Sequence, residues 1–336
     1  MIPEKLQIGD EVRIIAPARS LQVVSEDNIQ HSIKILEEIG LNISFGRHVY
    51  EKDMMLSSSK QSRLEDLHEA FADKNIKAIL TVLGGYNSNQ LLEEIDYGLI
   101  AKNPKILCGF SDITALSNAI YAKTGLVGYS GPHFSTFAMQ KGLEYTKQYF
   151  KKALFEEGAI NIESSKQWSS DATWYLDQEN RTFQENPGIE IIHSGYAEGK
   201  IIGGNLGTLQ LLRGTSYMPS LYGVILFLEE VANHTNGLDV FEFERNLESL
   251  TQAPDFEGVQ AIAFGRFETN FRMTKEKLIY IIETKIKLRN IPIISNVDFG
   301  HSTPIITFPV GGWCQLSANA GKINLIIADK KRAANN

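Results

Sequence analysis

Apolar and polar positions alternate along the first half of the chain in two rhythms, taken in turn. Glu11–Ala16 (EVRIIA) reads as a strand closed by Pro17. Ser25 then stands where a helix cap is wanted, and Ile29, Ile33 and Leu36 follow at helical spacing until Gly40 ends the run. Leu41, Ile43 and Phe45 alternate as a second strand. Lys60–Ala72 places Leu64, Leu67 and Phe71 on one helical face, and Ile76–Leu83 (IKAILTVL) predicts a third strand. That strand runs into GGYNSN and a short helix near Gln90–Ile95. Lys105–Phe110 is the fourth strand, Asp112–Lys123 a helix aligning Ile113, Leu116 and Ile120, and Leu126–Tyr129 a fifth strand. A helix near Tyr145–Glu156 closes the unit.

Such alternation predicts a parallel sheet with helices on both faces. In sheets of this kind ligands gather at the carboxyl ends of the strands. GGYNSN and GFSD both fall at such ends. Asn161–Pro187 breaks the rhythm: it is polar, shows no clear period, and carries Trp168, Trp174, Tyr175 and Phe183. It reads as a linker or ordered loop between domains, and long irregular segments are often functional. The second half resumes with GKIIGGNLGTLQLLRG and a strand over Gly223–Leu228. A helix near Val240–Leu250, a strand at Val259–Phe264, a helix over Lys275–Ile286 and a strand at Ile291–Ser295 follow. Terminal strands lie near Thr307–Phe308 and Ile323–Ile327. The expected organisation is an N-terminal α/β domain over 1–160, an interdomain segment over 161–190 and a C-terminal α/β domain over 191–336.

Composition narrows the function classes. A chain of 336 residues has room for two domains and a substantial core. Lys and Arg number 33 against 40 Asp and Glu, a net charge of −7 with no basic run, which argues against nucleic acid or an anionic membrane as the main partner. The two cysteines, Cys108 and Cys314, lie far apart, so neither a disulfide framework nor a cysteine-rich zinc site is expected. Cys108 reads as a packing residue. The opening MIPEKLQIGDEVRIIAP lacks the charge-then-apolar order of a secretory signal. No run approaches the ~20 apolar residues of a membrane helix. A cytoplasmic location is expected.

Candidate chemistry centres on KILCGFSDI. The glycine-rich GGYNSN and GGNLG are not followed by Lys-Ser or Lys-Thr, so no Walker loop is present, and APARS after the first strand lacks the glycines of a dinucleotide fingerprint. Gly84-Gly85 reads as a tight turn that leaves a backbone N–H beside a strand end. In GFSD, Ser111 follows a buried strand and opens a helix, which half meets the nucleophile-elbow pattern. A helix cap is the simpler role for Ser111 or Asp112. The same helix start leaves unpaired N–H groups near Ser111, suited to an oxyanion.

A serine nucleophile needs a base and an orienting acid. Seven histidines are available. His31 and His68 fall in helix patterns, and His48 in a charged loop. His301, in the loop DFGHSTP, ranks first, and His133, after SGP at a strand end, ranks second. The strand GVILFLEE ends in Glu229 and Glu230, whose side chains should face opposite sides. Solvation of both at the strand end is the plainer alternative. There is no HExxH, and Asp298 with His301 is a thin basis for a metal.

Taken together, GGYNSNQLL, GFSDITAL, GGNLGTLQLLRGT, LFLEE and GHSTP resemble, in order and spacing, the LD-carboxypeptidase / MccF family of serine peptidases. The likeness spans nearly the whole chain. Asn87-Ser88-Asn89 and the loop ATWYLDQENRT place it nearer the MccF-like branch. The resemblance implies a flavodoxin- or Rossmann-like N-terminal sheet, a smaller C-terminal α/β domain, a site between them, and a homodimer. It also implies a triad of Ser111, Glu229 and His301, with the N–H groups of Gly85 and Asp112 as oxyanion hole and no metal or organic cofactor. Trp174, Tyr86 and Asn87 are then candidate substrate contacts. The expected substrate is a small peptide or peptidyl-nucleotide. The MccF-like branch cleaves an aminoacyl or peptidyl group from a modified adenylate; the murein branch removes D-alanine from tetrapeptides. A non-catalytic small-molecule binder is the alternative from another class.

Overall fold

The structure is a computed structural model that describes residues 1–171, 173–233 and 237–331. His234 lies outside these residues.

The first half builds the expected sheet. Strands β1 (Glu11–Ile15), β2 (Asn42–Phe45), β3 (Ile76–Thr81), β4 (Ile106–Cys108) and β5 (Gly128–Ser130) are mutually parallel. Helices α1 (Glu26–Ile39), α2 (Lys60–Ala72), α3 (Tyr97–Lys102), α4 (Ile113–Thr124) and α5 (Glu144–Leu154) connect or flank them. Local chemistry accounts for the boundaries. The Ser25 side chain accepts the Asn28 N–H at the start of α1, and Gly40, at φ 102°, ends it in the left-handed region that glycine adopts without penalty. The short helix expected near Gln90–Ile95 is replaced by a single 3-10 turn at Ser88–Leu91, with α3 beginning only at Tyr97, where Asp96 accepts the Leu99 N–H.

The second half carries an eight-stranded mixed sheet. In chain order its strands are β6 (Ile160–Asn161), β9 (Glu190–His193), β10 (Gly195–Asn205), β11 (Val224–Glu229), β12 (Ala261–Gly265), β13 (Ile293–Val297), β15 (Trp313–Asn319) and β16 (Lys322–Ala328). β10, β11, β12 and β13 form its parallel centre. Helices α6 (Leu206–Gln210), α7 (Asp239–Thr251) and α8 (Lys275–Glu283) accompany it, and a small β7–β8 pair (Gln167–Trp168 with Gln184–Glu185) braces the interdomain segment.

Two short segments cross between the sheets. β6 pairs with β16, and β14 (Phe308–Val310) pairs antiparallel with β5 on the edge of the first sheet, giving the order β14-β5-β4-β3-β1-β2. The loop from Val297 to Phe308 therefore runs from the second sheet to the first.

Helix α4 lies where the two units meet. The predicted stripe of Ile113, Leu116 and Ile120 understates its burial, because every residue from Ile113 to Ile120 is buried. One apolar core runs from Leu107 through Leu116 and Ile120 to Ile202, Leu226 and Phe264 of the second sheet. Two polar residues within it are paired across the units: Asn118 donates to the Gly203 carbonyl at 2.8 Å, and Thr114 Oγ1 accepts the Asn205 N–H at 2.9 Å. Gly204 explains the paired glycines of GGNLG. A Cβ built there would stand 2.3 Å from Thr114 Oγ1, so only glycine admits α4 this closely.

Candidate active site

The turn after β4 is sharp. Ser111 adopts φ 60°, a left-handed conformation that costs a non-glycine residue on the order of 1 kcal/mol and recurs at functional turns. Two strand-end turns are tied together beside it. The Asp112 carboxylate does not cap α4; its Oδ2 accepts the N–H groups of Asn87 (3.0 Å) and Ser88 (2.9 Å), and Ser88 Oγ donates to the Asp112 carbonyl. GGYNSN is thereby held against GFSD. A Cβ built on Gly84 would lie 3.1 Å from Ser111 Oγ, which shows how closely the glycine turn approaches the serine.

Side chains from three distant parts of the chain meet here. His301 Nε2 stands 2.9 Å from Ser111 Oγ, and His301 Nδ1 stands 2.7 Å from Glu229 Oε2. With its Nδ1–H donated to the carboxylate, the imidazole presents an acceptor lone pair at Nε2 to the serine hydroxyl. Glu229, the last residue of β11, is buried, as is Glu230. Solvation at the strand end is excluded for both. They divide the two sides as the strand alternation required: Glu229 reaches His301, whereas Glu230 lines the cavity and accepts from Asn205 Nδ2 (2.8 Å) and the Gly207 N–H (2.9 Å).

Electrostatics follow from burial and neighbours. Burial draws the His301 imidazolium down, but the Glu229 carboxylate, helped by Glu268 and Glu230, outweighs it, and the net pKa is raised above the ordinary histidine value. Burial next to Glu229 pushes Glu230 up to about 7. His133, the second-ranked base, lies in the same cavity wall but is buried, and its pKa falls to about 3. It hydrogen-bonds Thr81 Oγ1 at 2.7 Å and packs against the Phe110 ring, and it remains neutral. The Phe110 ring also packs against His301, with centroids 5.3 Å apart.

The remaining sequence candidates fall around one cavity of about 640 Å³. Gly85, Asp112, Tyr86 and Trp174 line it; the N–H groups of Gly85 and Asp112 have no acceptor among the described residues. Tyr86 is exposed at the rim. Asn87 is not part of the lining: its N–H serves Asp112 and its carbonyl serves Arg63. The interdomain segment is tied down by the Arg181–Asp171 ion pair within it and by bonds to the buried Arg266–Asp298 pair, Arg266 donating to Asn186 Oδ1 and Asp298 accepting the Ser165 N–H. It also joins the histidine loop directly, since Ser169 and Thr303 exchange two backbone hydrogen bonds of 2.8 Å. Sequence reading passed over Asn205, which had been seen only as part of a glycine-rich loop, and Arg19 of APARS, although the rule of strand ends could have flagged it. Among the described residues no group of three His, Cys, Asp or Glu side chains could hold a metal ion, and no helix is long and apolar enough to cross a membrane.

Comparison with known proteins gives a consistent neighbourhood. Residues 12–131 match the LD-carboxypeptidase N-terminal domain, and residues 198–316 match the LD-carboxypeptidase C-terminal domain. A Bacillus subtilis (strain 168) protein named as a carboxypeptidase is 49% identical over 96% of this chain and 97% of its own. The crystal structure of an MccF-like protein from Bacillus anthracis str. Ames is similar with a TM-score of 0.96, at 51% identity over 98% of this chain and 99% of that one. MccF in complex with glutamyl sulfamoyl guanosine is similar with a TM-score of 0.88, at 27% identity over 98% and 99% of the two chains.

Proposed function

The chain belongs to the LD-carboxypeptidase family of serine peptidases, and from that premise we propose that Ser111, His301 and Glu229 are its catalytic triad and that it hydrolyses the amide joining an aminoacyl or peptidyl group to a modified adenylate. The observation that carries this reading is the hydrogen-bonded series from Ser111 Oγ to His301 at 2.9 Å and on to Glu229 at 2.7 Å, with Ser111 on a left-handed turn.

In this mechanism His301 Nε2 takes the hydroxyl proton as Ser111 Oγ attacks the amide carbonyl. Glu229 fixes the tautomer and stabilises the imidazolium. The N–H groups of Gly85 and Asp112 receive the oxyanion, and loss of one such donor typically costs about 3 kcal/mol. His301 then returns the proton to the departing amine. Water, activated by the same imidazole, attacks the acyl-serine and releases the acid and free enzyme. A raised His301 pKa sets the acid limb of the rate. Protonation removes the Nε2 acceptor, so kcat/KM should fall as pH drops through a midpoint above 6.5, the ordinary histidine value. A pH profile with its acid limb below that value would count against His301 as base.

Support for a nucleotide leaving group comes from Trp174 in the cavity wall and from the similarity to MccF bound to an aminoacyl sulfamoyl nucleotide. Base–aromatic stacking is worth roughly 1–3 kcal/mol. Trp174→Ala should therefore raise KM for a peptidyl-adenylate analogue by about 5- to 160-fold while sparing a murein tetrapeptide. An unchanged KM for the analogue removes the stacking role. The second reading, release of D-alanine from murein tetrapeptides, is favoured by the carboxypeptidase name of the Bacillus subtilis relative. Side-by-side hydrolysis of the tetrapeptide and the adenylate analogue decides between them.

A further inference from the structure

We infer that Arg19 is a specificity-determining residue that binds an anionic group attached beside the scissile amide. The inference rests on the function proposed above and assigns that site its charge preference.

The topology puts Arg19 at the point where strand order reverses. β1 is flanked by β2 on one side and β3 on the other, so the connections leaving β1 and β3 diverge and open a crevice at their carboxyl ends. Arg19 lies just beyond β1, and Gly84-Gly85-Tyr86 just beyond β3. The two segments touch: the Arg19 N–H donates to the Gly84 carbonyl at 3.3 Å, and a Cβ built on Gly85 would come 3.3 Å from Arg19 Cγ. The guanidinium stands over the Tyr86 ring, 5.6 Å from its centroid. Gly84 in turn abuts Ser111. Arg19 is thus anchored beside the turn that faces the nucleophile.

Its partners are the informative part. Three other arginines close to the site are committed: Arg63 to the carbonyls of Pro17 and Asn87, Arg181 to Asp171, and Arg266 to Asp298. The Arg19 guanidinium has no ion pair or hydrogen bond among the described residues, although it carries five donors and is always charged. Among the described residues lining the cavity it is the only lysine or arginine. The second-sheet side of the lining carries carboxyl groups, among them those of Glu230 and Glu268. An anion entering this cavity finds no cationic side chain on that side and the Arg19 guanidinium on the other, among the described residues. Both candidate substrates carry such an anion on the atom next to the leaving nitrogen or one bond further: the carboxylate of a released amino acid, or the acidic linker of an aminoacyl nucleotide. The shared chemistry is a compact oxyanion suited to a guanidinium fork.

Two matched substrate pairs test this. One is a murein tetrapeptide ending in D-alanine against the same peptide ending in D-alaninamide. The other is an aminoacyl sulfamoyl adenosine, whose linker is acidic, against the neutral aminoacyl amide of 5′-amino-5′-deoxyadenosine. Wild type, Arg19→Gln and Arg19→Lys are compared on whichever pair the wild type turns over. Arg19→Gln should lower kcat/KM for the charged member by about 10- to 100-fold, the usual weight of a hydrogen bond to a charged group, with the loss confined to that member. Arg19→Lys should recover part of it. Equal loss on both members, or no loss on either, overturns the inference while leaving the function standing. A wild type that turns over neither pair overturns the proposed function, and this inference with it.

Discussion

Replacing Ser111 by alanine is expected to abolish amide hydrolysis, with kcat lowered by about 10⁴- to 10⁶-fold, the range seen when a triad nucleophile is removed. The fold should persist. Among the described residues Ser111 Oγ bonds only His301, and alanine and serine share the same modest penalty at φ 60°. The loss therefore cannot be ascribed to unfolding, and thermal denaturation should give a midpoint close to wild type. Retention of more than about one per cent of the rate on a substrate that the wild type hydrolyses would remove Ser111 as nucleophile. An active-site serine probe supplies a second readout: covalent labelling of Ser111 separates an enzyme from a passive binder, which would not be labelled.

Glu229→Gln is the second large effect. The amide is nearly isosteric with the carboxylate but can present an N–H to His301 Nδ1, which turns the imidazole to the wrong tautomer. Such a change typically costs about 10⁴ in kcat. It has a companion effect on titration. The Glu229 charge is the largest influence that raises the His301 pKa, and it also raises Glu230. Without it both groups should titrate at lower pH, so the residual activity of Glu229→Gln should show an acid limb displaced downward. Stability should not suffer much, because the variant removes one of two adjoining buried carboxylates, and burial of like charges is costly. Wild-type kcat in Glu229→Gln would sink the assigned role. Room for error here is small: Gly300 sits at φ 107°, and a Cβ there would fall 2.9 Å from Glu229 Oε2.

The sequence made the first sheet readable and the second less so, for physical reasons. Strands β1 to β4 and helices α1 and α2 are local patterns bounded by Ser25, Gly40 and Pro17, and periodicity reports them directly. β10 escaped because GKIIGGN has no two-residue alternation; Gly204 serves the approach of α4, a contact with residues far earlier in the chain, while Gly199 and Gly203 lie against the backbone of Gly223 and Phe227. β14 was expected as one of the closing strands, and no local feature announced that it would pair with β5. In the site, Ser111 was legible as a strand-end residue, yet its own neighbours favoured a cap. Its left-handed backbone and its bond to His301 are tertiary facts. Choosing Glu229 over Glu230 was beyond spacing and came through family resemblance. Arg19 lay in view, in APARS, but the segment was read only for the glycines it lacked.

One consequence of the route taken by the histidine loop concerns biosynthesis. His301 lies on the stretch that leaves β13 in the second sheet and enters β14 in the first. A nascent chain that has folded its first five strands already displays Ser111 at the head of α4, but it lacks His301, the proposed base, and leaves β5 with an unpaired edge. On the proposed triad, hydrolytic competence would arrive only when the crossing is made, at a sequence separation where closure is slow. With Ser111 and His301 in the proposed roles, the crossing would act as an interlock that keeps the serine of an incomplete chain inert.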